Sequence, residues 1–132
     1  MADTLQRPPT MQTVAVTSTG LTPRTAATLT YLSWWITGVL FWLVERDDRF
    51  VRFHAAQAMV AFGAISLMIA VFLGLAAASL SFLPAAFNLF LAAAGVTWLG
   101  GMVLWLTTMW KAANGEAFRL PLAADWADRI NS

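Results

Sequence analysis

The chain predicts an all-α integral membrane protein: three transmembrane helices, an amphipathic cytoplasmic loop between the first two, and a short C-terminal interfacial helix. Three observations carry this expectation. Of 132 residues, 59% are hydrophobic and 11% are charged, against roughly 25% charged in ordinary globular chains. Residues 55–110 contain no Asp, Glu, Lys, Arg or His. The charge in the middle of the chain is concentrated in residues 45–57, ERDDRFVRFHAAQ, between two apolar runs. A spanning helix needs ~20 mainly apolar residues to cross ~30 Å of hydrocarbon, and the apolar runs hold three such lengths.

Residues 1–21 include Pro8, Pro9 and Thr17-Ser18-Thr19-Gly20, with no sustained apolar period. They read as a disordered tail. Arg7 is followed by no apolar core of the signal-peptide kind, so the first helix itself is the expected insertion signal. Residues 22–115 form the expected three-helix transmembrane domain. Thr22 is placed to cap the first helix, and Pro23 suits its first position, where an N–H would have no partner. Continued through Tyr31, Trp34, Trp35 and Leu40 to Val44, that helix spans roughly 33 Å, enough for one crossing. Gly38 lets a neighbouring helix approach closely.

In residues 45–57, Glu45 with Arg49 and Asp48 with Arg52 stand i,i+4 with the acid first, the favourable order on a helix. Asp47 or Asp48 is a cap for the next helix. Phe50, Val51 and Phe53 are expected to dip into the interface while Arg49 and Arg52 reach water. Phe50, His54 and Gln57 fall on one side of such a helix.

The second crossing is expected over residues 58–80, ended by a turn containing Pro84, which fits only near a helix start. The third runs from about 85 to 110, long enough to need tilt or an interfacial end. Gly100-Gly101 there permits a bend or a close crossing. Asn114-Gly115 is a stop signal, with Lys111 favouring the negative helix end. In residues 116–132, Leu120-Pro121 opens an interfacial segment on which Leu122, Trp126 and Ile130 share a face. With three crossings the N-terminal side holds Arg7 and Arg24 and the turn at 79–84 holds no basic residue, while the opposite side holds Arg46, Arg49, Arg52, Lys111, Arg119 and Arg129. The positive-inside rule then puts the N-terminus outside and the C-terminus in the cytoplasm.

The order LFWLVERDDRFVRFHAAQ, a long hairpin, then WKAANGEAFRLPLAADWADRI resembles a widespread family of small bacterial membrane proteins of unassigned function. That family is distantly related to the twenty-kilodalton component of the chloroplast inner-envelope translocon. The resemblance covers roughly residues 22–130. Its most specific residues are Glu45, Arg49-Phe50-Val51-Arg52-Phe53-His54-Ala55 and Gln57, then Gly115, Phe118 and Pro121. It implies a multi-pass fold in the bacterial inner (cytoplasmic) membrane and hardly any mechanism.

Several function classes lose their foothold. With no cysteine there is no disulfide framework or thiolate site, and the spans offer no cluster of His or carboxylate for a metal. No nucleophile motif surrounds a serine, and no glycine pattern forms a phosphate loop. Eight basic residues split among short regions make no nucleic-acid surface. The spans lack the ionisable residues of coupled transporters. His54, the single histidine, is the one candidate ligand for a haem or pigment metal. Its ordinary role is a helix-start hydrogen bond to Gln57, a loop carboxylate or lipid headgroups.

The expected function is therefore non-enzymatic and needs no cofactor or metal. The protein would be a structural or accessory subunit of a larger membrane complex, its partners the lipid bilayer and other membrane subunits or copies of itself. Partner or lipid contact is expected at Arg49, Phe50, Arg52, Phe53, His54, Gln57 and Trp126. One alternative is a homo-oligomeric translocation or channel component, which Ser66, Asn88, Thr97, Thr107 and Thr108 would have to line. Another is a pigment- or haem-associated subunit using His54.

Overall fold

The computed structural model describes residues 17–120 and 122–132. The expectations for residues 1–16 and for Pro121 lie outside this range. The described residues form five helices: α1 Pro23–Leu29, α2 Trp35–Val44, α3 Arg49–Ser79, α4 Ala86–Ala113 and α5 Ala123–Asn131. Two of them, α3 and α4, are long and apolar enough to cross a membrane. They pack together as a hairpin, and the shorter helices gather around the end where α3 begins.

The first apolar segment differs from the expected single crossing. Thr22 caps α1 through the Thr25 amide at 3.4 Å, with Pro23 at the helix start. The helix then stops at Leu29. Residues 30–34 form a turn, and Trp34 takes φ +63°, an uncommon conformation for a residue with a side chain. Nearby side chains satisfy the broken backbone. The Thr37 hydroxyl donates to the Thr30 carbonyl at 2.9 Å and accepts the Ser33 amide at 3.1 Å, and the Trp105 indole N–H donates to the Tyr31 carbonyl. The Trp34 indole N–H reaches the Phe62 carbonyl and the Ser66 hydroxyl. Irregular backbone is tolerated at membrane depth only where protein groups replace its lost partners. The Thr37 hydroxyl and the Trp105 indole do that here.

After the turn the chain comes back. Ser18 bonds to Glu45 and Asp47, and Arg24 lies against Gly115 just past the end of α4. The turn at 30–34 meets Phe62 and Ser66, roughly halfway along α3. Thus α1 and α2 form a helical hairpin that enters and leaves at one end of the bundle. Residues 17–21 and 122–132 lie at the same end of the bundle, where a single unbroken first crossing would have put them at opposite ends. Sequence periodicity could not reveal this, because a long apolar run looks alike whether it crosses or doubles back.

The charged stretch is also shorter as a loop than expected. Only residues 45–48 lie outside helices; Arg49 to Gln57 are the first turns of α3. Asp48 caps α3, accepting the Phe50 and Val51 amides at 2.8 and 3.1 Å. The expected Glu45–Arg49 and Asp48–Arg52 pairs are absent among the described residues, where the ion pairs are Lys111–Glu116 and Arg119–Asp128. Glu45 precedes the helix, and the Asp48 carboxylate turns inward to the cap, so neither presents the helical face that i,i+4 pairing assumes.

Glycine sets the closest contacts. A Cβ on Gly38 would stand 2.9 Å from the Ala55 carbonyl oxygen and 3.0 Å from the Met59 amide nitrogen, so α2 rests directly on the backbone of α3. Gly101 admits the Trp34 ring and Ile65; a Cβ there would lie 3.0 to 3.1 Å from them. Farther along the hairpin the surface is apolar and uncovered. Leu67, Leu89, Val96 and Val103 are about two-thirds exposed. A contiguous apolar surface of that extent is foreign to soluble monomers and suited to lipid.

Candidate functional site at the charged end of the bundle

The sequence places the polar residues on both sides of the apolar runs, and the hairpin geometry gathers them at one end. Three layers result. The innermost is a buried polar cluster. The Tyr31 hydroxyl lies 2.8 Å from His54 Nδ1 and accepts from Gln57 Nε2 at 3.3 Å. Gln57 Nε2 also donates to the Phe118 carbonyl at 2.9 Å, while Gln57 Oε1 accepts the Leu120 amide at 3.0 Å. One side chain thereby pins the segment after α4 onto α3. His54 and Gln57 have no exposed surface. The expectation that they touch a partner or lipid is corrected: they face inward, because α3 starts early enough to carry them beneath the turn at Tyr31. Phe50 and Phe53 lie edge-on to the imidazole at 4.6 and 5.6 Å. His54 Nε2 has no hydrogen-bond partner among the described residues.

The second layer is centred on Glu45, which is fully buried. Its Oε1 accepts the Ser18 hydroxyl at 2.7 Å and the amides of Asp47 and Asp48 at 3.1 and 3.2 Å. Burial by itself raises this carboxyl, but the Ser18 hydroxyl and the amides of Asp47, Asp48 and Ser18 outweigh it and hold it below the ordinary glutamate value. A depressed carboxyl stabilises the fold above its unfolded pKa, and that stability disappears as the pH falls through the folded one. Acidification below the ordinary glutamate range is therefore expected to free residues 17–21 and loosen the turn at 45–48. Amide exchange at Ser18, Asp47 and Asp48 measures this; in Glu45→Gln the acid step should vanish.

The third layer is exposed. Arg46, Arg49, Arg52, Phe53, Asp128 and Asn131 surround a cleft of about 510 Å³. Asn131 ties it together: its Oδ1 accepts the Trp42 indole N–H at 2.9 Å and Arg52 at 3.5 Å, and its Nδ2 donates to the Arg52 carbonyl at 3.3 Å. The Arg52 guanidinium lies 5.6 Å from the Trp42 ring centroid, and Arg119 lies 5.2 Å from that of Phe53. Trp126 stands apart from these arginines, 56% exposed, beside an apolar groove of about 400 Å³ bordered by Val60, Ala64, Leu104, Leu120 and Leu122. On α5 the alanines 123, 124 and 127 face the bundle while Trp126, and Leu122 just before the helix, face outward. Of the predicted contact residues, then, Arg49, Arg52 and Phe53 share one cleft, Phe50 packs on His54, and Trp126 belongs to another surface.

Sequence reasoning missed Tyr31, Asn131 and Ser18. Tyr31 had a signal, as the single tyrosine of the chain, inside an apolar run beside Thr30. A buried hydroxyl there needs a polar partner. Asn131 and Ser18 carried none, since exposed chain ends are rich in such residues. The motif that carried the family resemblance acquires physical reasons here. Glu45 and Gln57 are buried acceptors, Phe118 offers the carbonyl that Gln57 holds, and Gly115 has φ +74° with the Arg24 side chain where a Cβ would stand.

Residues 21–127 match the family model described as the magnetosome magnetite crystal formation protein family, MamF/MmsF. A UPF0132 membrane protein of Methanocaldococcus jannaschii is 34% identical over 115 residues, covering 87% of this chain and 94% of that one. A second from the same organism is 34% identical over 123 residues, covering 88% and 75%. One from Archaeoglobus fulgidus is 33% identical over 104 residues, covering 79% and 90%. No solved structure matches the chain.

Proposed function

We propose, for a chain that belongs to the magnetosome magnetite crystal formation (MamF/MmsF) family and shares its length with UPF0132 membrane proteins, a non-enzymatic accessory role in the cytoplasmic membrane. The protein crosses twice, through α3 and α4; α1 and α2 form a re-entrant hairpin, and both described ends face the cytoplasm. It docks to a larger membrane assembly through that charged end. One observation carries this reading. All seven basic residues from Arg24 onward belong to segments at the end where α3 begins and α4 finishes, and the turn between them at 79–85 holds none. Such an asymmetry sets orientation, and a crossing count of two sharpens it by moving Arg24 to the basic side.

The chain has no cysteine, so single-cysteine labelling tests the topology directly. In intact cells, Ser81→Cys is expected to react with a membrane-impermeant maleimide, while Ser18→Cys and Ser132→Cys react only after permeabilisation. Labelling of Ser18→Cys and Ser132→Cys from opposite sides would restore three crossings and end this reading. The accessory role is tested by crosslinking from cysteines at the charged end in native membranes, which should give one reproducible adduct of fixed stoichiometry. A bare monomer would remove it.

A further inference from the structure

We propose that the arginine cleft at the start of α3 is a binding site for a phosphate-bearing anion, and that its occupant is the headgroup of an anionic phospholipid. The inference deepens the topology above and rests on it only for the cleft lying at the membrane face. Three guanidinium groups, those of Arg46, Arg49 and Arg52, border one cavity of about 510 Å³. None is in an ion pair among the described residues. The acids that ought to neutralise them are turned elsewhere. Glu45 is buried and takes Ser18 and two amides of its own turn. Asp47 accepts the Ser18 hydroxyl, and Asp48 caps α3. Asp128, which borders the cleft, pairs with Arg119. The result is a concentrated positive site inside a sequence stretch whose formal charges nearly balance.

The chemistry of the site suits phosphate. Guanidinium offers paired donors in a planar fork that match two phosphate oxygens. Arg52 is already held in place by Trp42 and Asn131, so less freedom is lost when it binds. Arg49 opens α3, whose positive end adds to the attraction for an anion. A lipid is favoured over a free anion by what lies beside the cleft. Immediately before Arg46, α2 exposes Leu40, Leu43 and Val44, each about half accessible. Acyl chains lying along that apolar edge would bring their phosphate to the level of the arginines.

The test uses the full chain in nanodiscs containing equal phosphatidylglycerol and phosphatidylcholine, with retained lipid counted by native mass spectrometry after detergent release. Phosphatidylglycerol is expected to be enriched. The variant Arg46→Gln/Arg49→Gln replaces two exposed side chains with no hydrogen bonds among the described residues, so the fold should persist. It should lose that enrichment by on the order of thirtyfold, at about fivefold for each basic residue near a membrane surface. Arg129→Gln, a charge outside the cleft, should leave it intact. In a second arm, inorganic phosphate is titrated into protein in pure phosphatidylcholine nanodiscs, read by tryptophan fluorescence because Trp42 borders Arg52. Saturable phosphate binding without lipid enrichment, lost in the double variant, would support the anion site with a free anion as its source. No enrichment and no phosphate binding, or binding that the double variant leaves unchanged, overturns the proposal. Because cysteine labelling reads topology alone, failure here and failure of the topology are separately visible.

Discussion

Gln57→Leu is expected to release the C-terminal segment from the bundle while leaving the α3–α4 hairpin intact. The glutamine serves three polar groups at once: the Phe118 carbonyl, the Leu120 amide and the Tyr31 hydroxyl. Leucine matches its volume closely, so packing changes little and the loss is polar. A buried group left without a partner costs ~1–3 kcal/mol, and water reaching a loosened segment would recover part of that. A net cost of roughly 3–5 kcal/mol is expected, more than a segment held chiefly by three alanines and Asn131 can bear. Limited trypsin digestion in detergent should show cleavage after Arg119 rising tenfold or more, since ~1.4 kcal/mol is one decade. Gln57→Glu should fall between, keeping an acceptor for Leu120 but losing the donor to Phe118. Unchanged proteolysis of Gln57→Leu would mean that the segment is held by something other than these bonds.

Gly38→Leu is expected to lift α2 off α3. Even the first carbon of a side chain would sit 2.9 and 3.0 Å from backbone atoms of Ala55 and Met59, and backbone cannot rotate aside as a side chain can. Overpacking of this kind costs ~1–3 kcal/mol for modest additions; leucine adds much more than a methyl group. The ~1 kcal/mol that replacing a helical glycine returns through propensity does not offset it. A lowered thermal midpoint in detergent, with Trp42 fluorescence shifting as its contact to Asn131 opens, is the expected result. Gly100→Leu is the matched control: nothing lies within 4 Å of a Cβ there, so its midpoint should hold. Equal effects at the two sites would show that α2 does not rest on α3.

Legibility followed the physics of each element. The α1 cap at Thr22, the α3 cap at Asp48 and the stop near Asn114 were readable because they depend on a few adjacent residues. The two long helices were readable because uncharged length has one common explanation. The break at 30–34 was not. Thr30, Ser33 and Thr37 are individually tolerable in a helix, and the Thr37 hydroxyl, which bridges the Ser33 amide and the Thr30 carbonyl, becomes decisive only when Trp105 and Ser66, far along the chain, complete the set. Arg49 and Arg52 were named from sequence as contact residues and Arg46 was not, and the acids beside them looked like their partners. Only the burial of Glu45 and the engagement of Asp48 in the helix cap leave those arginines free.

What the sequence determined alone was the solvent and the inventory: long uncharged runs that need lipid, and a small stock of charge kept out of them. Tertiary structure decided where the first apolar run breaks and doubles back, which polar residues are sealed inside and which stay open to a ligand. The reason is that hydrophobicity is a property of each residue, whereas a backbone break or a buried glutamine is stable only when remote parts of the chain arrive to satisfy it.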